Sequence, residues 1–72
     1  MEINGNKLTE REIEIISLLM YGHNRKMIAV NLKISLNTVD THLHNIHCKT
    51  NTSNNPELIR FGYLHLHFEK NI

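Results

Sequence analysis

Seventy-two residues, with eight Lys or Arg against seven Asp or Glu and six histidines, give one small domain of formal net charge +1. A chain of this length buries roughly 60% of its unfolded surface, so regular helices or oligomerisation must support it. No stretch approaches the roughly 20 apolar residues of a membrane span, no charged-then-apolar signal segment is expected at its start, and its one cysteine, Cys48, excludes an internal disulfide and fits a reducing compartment. The charge is unevenly spread. Residues 1–20 carry Lys7 and Arg11 against Glu2, Glu10, Glu12 and Glu14, net −2; residues 21–50 carry Arg25, Lys26, Lys33 and Lys49 against Asp40, net +3; residues 51–72 balance. Four of the histidines also lie in the cationic middle third. That asymmetry points to an anionic partner there, although a pI near 8.0 is modest for a nucleic-acid binder.

Residues 1–7 are polar, with Asn-Gly-Asn at 4–6, and read as a flexible tail or linker end before a domain spanning 8–72. Thr9-Glu10-Arg11-Glu12 matches a capping box and starts the first helix. Its early glutamates suit the positive helix N-terminus. Ile13, Ile16 and Met20 form one apolar stripe, widened by Ile15, Leu18 and Leu19, and Gly22 is the stop. Asn24 caps a short second helix, Arg25 through Leu32, with Met27, Ile28 and Leu32 at helical spacing. Lys33-Ile34 makes the turn, with Ile34 tucked into the core. Asn51 ends the third helix near Thr50. Asn55 is expected to cap a fourth helix, with Pro56 at its first position and Glu57 behind it. Its residues Leu58, Ile59, Phe61, Tyr63, Leu64, Leu66 and Phe68 exceed what one buried face needs. No repeat, low-complexity run or strand pattern is visible.

The third helix organises the chain. Ser35 is its N-cap, and Val39, Leu43 and Ile46 fall at i, i+4 and i+7 on one core face. Asn37, Thr41, His44 and Cys48 form the opposite face, with Asp40 and His47 beside it. His42, Asn45 and Lys49 make a third stripe that could reach a flanking anionic surface. One core face and one hydrogen-bonding face suit a helix that reads the major groove, which codes sequence as donors and acceptors. Spacing alone fits an ordinary solvated face at least as well.

Leu8-Thr9-Glu10-Arg11-Glu12-Ile13-Glu14-Ile15, Gly22, Lys26, Ile28-Ala29, Leu32, Ile34-Ser35, Thr38-Val39, Thr41-His42, Ile46 and Lys49, in that order and spacing, resemble the LuxR/GerE-type helix-turn-helix family. The resemblance spans residues 8–68. It implies an all-α, four-helix domain whose second and third helices form the helix-turn-helix. It implies a cytoplasmic bacterial transcription regulator that binds double-stranded DNA without a cofactor. Carried over by position, base contacts fall at Asp40, Thr41 and His44. Phosphate contacts fall at Lys26, Thr38, His42 and Lys49, and Arg25 and Asn45 are expected to make phosphate contacts as well. The family usually has Lys where Asp40 stands, so an anion faces DNA here; Asp can accept from a cytosine amino group but repels phosphate. Met27 loses the reciprocal capping box of the second helix, and Thr50-Asn51-Thr52 replaces an apolar Leu-Gly-Val, removing core. The resemblance also implies a dimer through the fourth helix, and the apolar excess of that helix points to Tyr63, Leu64 and Phe68 as contributors.

Rival chemistries are weaker. His44 with Cys48 and His44 with His47 have spacings that can share a metal, but no acidic or second cysteine ligand joins them. A Cys48–His44 nucleophile is weaker still. No glycine-rich phosphate loop exists, and a unit of this size is expected to lack a substrate cleft; an enzyme is rejected. The main alternative is a protein-interaction module, pairing with another regulator through the fourth helix with weak or no DNA binding. The 72 residues contain no receiver or ligand domain, so any sensing is expected elsewhere.

Overall fold

The structure of the protein, a computed structural model, describes residues 2, 3 and 6–66, with side chains from Lys7 to Leu66. A short hairpin precedes four helices. β1 (Glu2–Ile3) pairs antiparallel with β2 (Asn6–Lys7), Glu2 opposite Lys7 and Ile3 opposite Asn6. This corrects the expectation of no strand.

The helices start and stop where local chemistry requires. α1 (Glu10–Met20) opens with the full capping box: the Thr9 hydroxyl accepts from the Glu12 N–H at 3.1 Å, and the Glu12 carboxylate from the Thr9 N–H at 2.9 Å. It stops at Gly22, φ +95°, where the His23 N–H reaches the Leu18 carbonyl at 3.0 Å and the Gly22 N–H the Leu19 carbonyl at 2.9 Å. Such paired bonds close a helix through one left-handed residue. α2 (Arg25–Leu32) is capped by Asn24, whose side chain accepts from the Met27 N–H at 2.8 Å. It stops the same way at Lys33, φ 59°, with Ile34 N–H on the Ala29 carbonyl at 3.0 Å.

α3 (Leu36–Thr50) is capped by the Ser35 hydroxyl on the Thr38 N–H at 3.0 Å and ends at Asn51, φ 58°. α4 (Asn55–His65) is capped by Asn54, whose side chain accepts from the Glu57 N–H at 2.9 Å. The cap is therefore Asn54, not Asn55, and Pro56 takes the second helical position. Proline is tolerated there because first-turn N–H groups have no intrahelical partner. α4 ends at His65, short of the expected run through Phe68, which lies outside the described residues.

One core joins the helices: Ile15, Ile16 and Leu19 from α1, Ile28 from α2, Val39, Leu43 and Ile46 from α3, and Leu58 from α4, closed by Leu8 and Leu66. α1 packs on α4, α2 on α3, and α1 also meets α3. Gly62 permits the α1–α4 approach, since a Cβ there would stand 2.6 Å from Met20 Sδ and 3.1 Å from Ile16 Cγ2. Of the apolar residues at helical spacing in α2, Ile28 is buried and Met27 is 47% exposed. Thr50 is buried without penalty, because its hydroxyl donates to the Ile46 carbonyl at 2.8 Å. Among the described residues no helix is long and apolar enough to cross a membrane.

Candidate nucleic-acid interface

α3 separates its faces as its periodicity demands. Val39, Leu43 and Ile46 are buried, while Asn37, Thr38, Thr41, His44, Asn45 and Cys48 are exposed. Lys33, Ile34 and Ser35 join α2 to α3, and the half-buried Ile34 packs against the core and fixes the turn. The Thr41 hydroxyl donates to the Asn37 carbonyl at 3.1 Å, which leaves its oxygen lone pairs outward. The hydroxyls of Thr38 and Ser35 lie 2.8 Å apart. His44 Nε2 lies 3.8 Å from Cys48 Sγ.

His47 does not join this face. Its Nδ1 lies 2.6 Å from the Thr52 hydroxyl and its Nε2 3.2 Å from the Asn55 side-chain oxygen, so it ties the end of α3 to the start of α4. It is thereby removed from any metal pair with His44, and among the described residues no three His, Cys, Asp or Glu side chains gather as a metal site would need.

Two residues expected to act separately are brought together. Arg25 Nε donates to Asp40 Oδ1 at 2.6 Å and Nη2 to Oδ2 at 2.9 Å. The hydrogen bonds from Arg25, against slight desolvation and aided by its charge, hold the Asp40 carboxyl below its ordinary range. The same bonds and the carboxylate charge raise Arg25. Sequence reasoning missed this pair because its members are 15 positions apart on different helices.

Lys49, expected at a phosphate, also ties α3 to α1. Its Nζ donates to both Glu12 oxygens, at 2.9 and 3.1 Å, and to the Lys7 carbonyl at 3.0 Å. Burial alone would push the Glu12 carboxyl up, but the hydrogen bond from Lys49, the Thr9 N–H and the lysine charge outweigh it and hold it below its ordinary value. The cause is packing: the buried Glu12 carboxylate needs a cation, and Lys49 is within reach. The third stripe of α3 is therefore split, with Asn45 exposed, His42 half-buried and Lys49 turned to α1.

Lys26 is exposed beside Arg25 in the first turn of α2, which contains no acidic residue. Cations at a helix N-terminus are locally unfavourable; Asp40 supplies an anion to Arg25, and the exposed Lys26 suits an external one. On α4, Tyr63 and Leu64 are 65% and 60% exposed. A groove of about 590 Å³ lies between the α1–α2 turn and the starts of α2 and α4, lined among others by His23, Arg25, Lys26 and Asn55. Its lining includes the His23 imidazole and the Lys26 ammonium but no carboxylate, hydroxyl or thiol.

Two helices meeting through a tight turn, the second with its polar face outward, define a helix-turn-helix domain. Residues 6–62 match the model of the bacterial regulatory proteins, luxR family. The chain belongs to that family. It is similar to the monoamine regulon transcriptional regulator of Klebsiella aerogenes, 48% identical over 52 residues, which are 72% of this chain and 23% of that protein. It is also similar to the oxygen regulatory protein NreC of Staphylococcus epidermidis, 39% identical over 55 residues, 76% of this chain and 25% of that one. The chain thus spans about a quarter of the length of these relatives. Its fold superposes on the response regulator ChrA of a heme-sensing two-component system with a TM-score of 0.78 at 36% identity, covering 81% of this chain and 29% of that one.

Proposed function

We propose that the chain is the DNA-contacting part of a bacterial transcription regulator, acting in the cytoplasm, and that α3 enters the major groove and reads sequence. The observation that carries this reading is the outward face of α3, where Thr41, His44 and their neighbours offer donors and acceptors beside the cationic, acid-free first turn of α2. Thr41 and His44 reach base edges; Lys26, Thr38, His42 and Asn45 flank them at phosphates. Lys49 supports the fold through Glu12. Two copies pair through Tyr63 and Leu64, so that two α3 helices read half-sites roughly 34–36 Å apart.

Exposure of Tyr63 and Leu64 also favours a second reading, in which this face pairs with another regulator and DNA binding is weak. Gel shifts of the 72-residue chain on random duplex DNA at increasing salt separate the two. Affinity that falls steeply with salt supports the DNA reading, because neutralising phosphates releases counterions. Absence of a shift even at low salt favours the second.

A further inference from the structure

We infer that Arg25, held by Asp40, is a base-reading residue that selects guanine. The inference rests on the DNA-binding reading and adds to it a residue and a base. Arg25 meets Asp40 side-on, through Nε at 2.6 Å and one Nη2 hydrogen at 2.9 Å. That pairing leaves the Nη1–Nη2 edge of the guanidinium with its fork of donors. The fork is the part of arginine that matches guanine N7 and O6 in the major groove.

Position supports the assignment. Arg25 opens α2, while Asp40 precedes Thr41 and stands one turn from Asn37 and His44 on α3. The ion pair therefore carries an α2 side chain to the edge of the outward face of α3. Both side chains are about half exposed, 47% and 46%.

Charge supports it too. A guanidinium neutralised by a carboxylate adds little to the attraction for phosphate at any sequence, but its directional N–H groups remain. Non-specific affinity follows the number of free cations, whereas base choice follows the fork. The pair trades the first for the second. It also accounts for a carboxylate on a helix facing a polyanion: Asp40 has its own cation, and it acts as a positioning residue that fixes the rotamer of Arg25.

The test is site selection from randomised duplexes by the 72-residue chain and its Arg25→Lys and Asp40→Asn variants, followed by salt titrations on selected and random DNA. Arg25→Gln is selected alongside them, and thermal unfolding of each variant checks the fold. Arg25→Lys keeps the charge but replaces the planar fork with a point donor, and Arg25→Gln removes both. Arg25→Gln is expected to lose a guanine preference at one position per half-site, about ten-fold or more in discrimination, and Arg25→Lys to weaken it less. Asp40→Asn is expected to weaken the same preference, raise affinity for random DNA and steepen the salt slope by up to about one. An unchanged motif in the folded Arg25→Gln variant, whose amide does not match the two acceptors of guanine, overturns the inference while leaving DNA binding intact. So does an Arg25→Gln variant that weakens all duplexes equally, which marks a phosphate contact only. Failure of the unaltered chain to bind any duplex overturns the DNA reading and this inference together.

Discussion

Lys49 Nζ lies 2.9 Å from one oxygen of the Glu12 carboxylate and 3.1 Å from the other, tying the last turn of α3 to the first turn of α1. The same carboxylate closes the capping box on the Thr9 N–H. One buried anion thus fixes a helix start and a helix–helix contact, and the α3 lysine serves the fold. Lys49→Ala is expected to leave Glu12 short of a cation and to cost about 1–3 kcal/mol, lowering Tm by roughly 4–8 °C per kcal/mol in a domain of this size. The salt slope of DNA binding should not change. Circular-dichroism melts and a salt titration check both; an unaltered Tm with a slope smaller by about one would place Lys49 on phosphate instead.

The direction of the Glu12 shift sets a pH dependence. Its folded value lies below the ordinary 4.5, so its stabilisation is fully present above the unfolded value and is lost as pH falls through the folded one. Asp40 shifts in the same direction from 3.8. Urea unfolding should show a stability difference between the chain and its Glu12→Gln variant that is constant from about pH 7 to about pH 5.5 and shrinks below about pH 4.5. A difference that persists undiminished to about pH 3 would mean that Glu12 is not held as a carboxylate.

The turn between α2 and α3 gives a test of local conformation. Lys33 sits at φ 59°, ψ 45°, a region that is strained for a side chain with a Cβ and unstrained for glycine. Lys33→Gly is expected to stabilise the domain by about 0.5–1 kcal/mol, whereas the β-branched Lys33→Val should destabilise it by about 1 kcal/mol or more. Melts in which valine equals or exceeds glycine would contradict the left-handed turn.

Much of this fold is written locally. Thr9 with Glu12, Asn24 and Ser35 announce the helix starts, and Gly22 and Asn51 the stops, because a cap acts within one turn of its own position. What local chemistry leaves degenerate is where reading fails. Asn54 and Asn55 are both able to cap α4, and Pro56 is compatible with either. The pairs Glu12–Lys49 and Arg25–Asp40 are set by how helices pack, so spacing along the chain carries no sign of them. Thr50 and Thr52 looked like lost core, yet they share a hydrogen-bonded cluster with the Ile46 carbonyl and His47. For the reading face the sequence supplies its residues, Asn37, Thr41 and His44, but not the ion pair at its edge.

Assembly is tested at the α4 surface. Tyr63 and Leu64 are exposed side by side on the described part of the helix, and a self-complementary patch is how a two-fold dimer forms. Leu64→Glu should leave each protomer folded, as expected for an exposed site, while the stability that pairing adds is lost. It should also shift sedimentation toward monomer and reduce affinity for a two-half-site duplex more than for one half-site. Unchanged sedimentation and unchanged two-site affinity in the folded variant would exclude a dimer through this face.

The central claim, that the outward face of α3 contacts DNA, is tested most directly by amide chemical-shift mapping of the isotope-labelled chain during titration with short duplex DNA. The account expects the largest shifts at Asn37, Thr38, Thr41, His44 and Asn45, with Arg25 and Lys26 beside them, and small shifts at Tyr63 and Leu64. Shifts confined to α4, or none along α3 at saturating duplex, would contradict it.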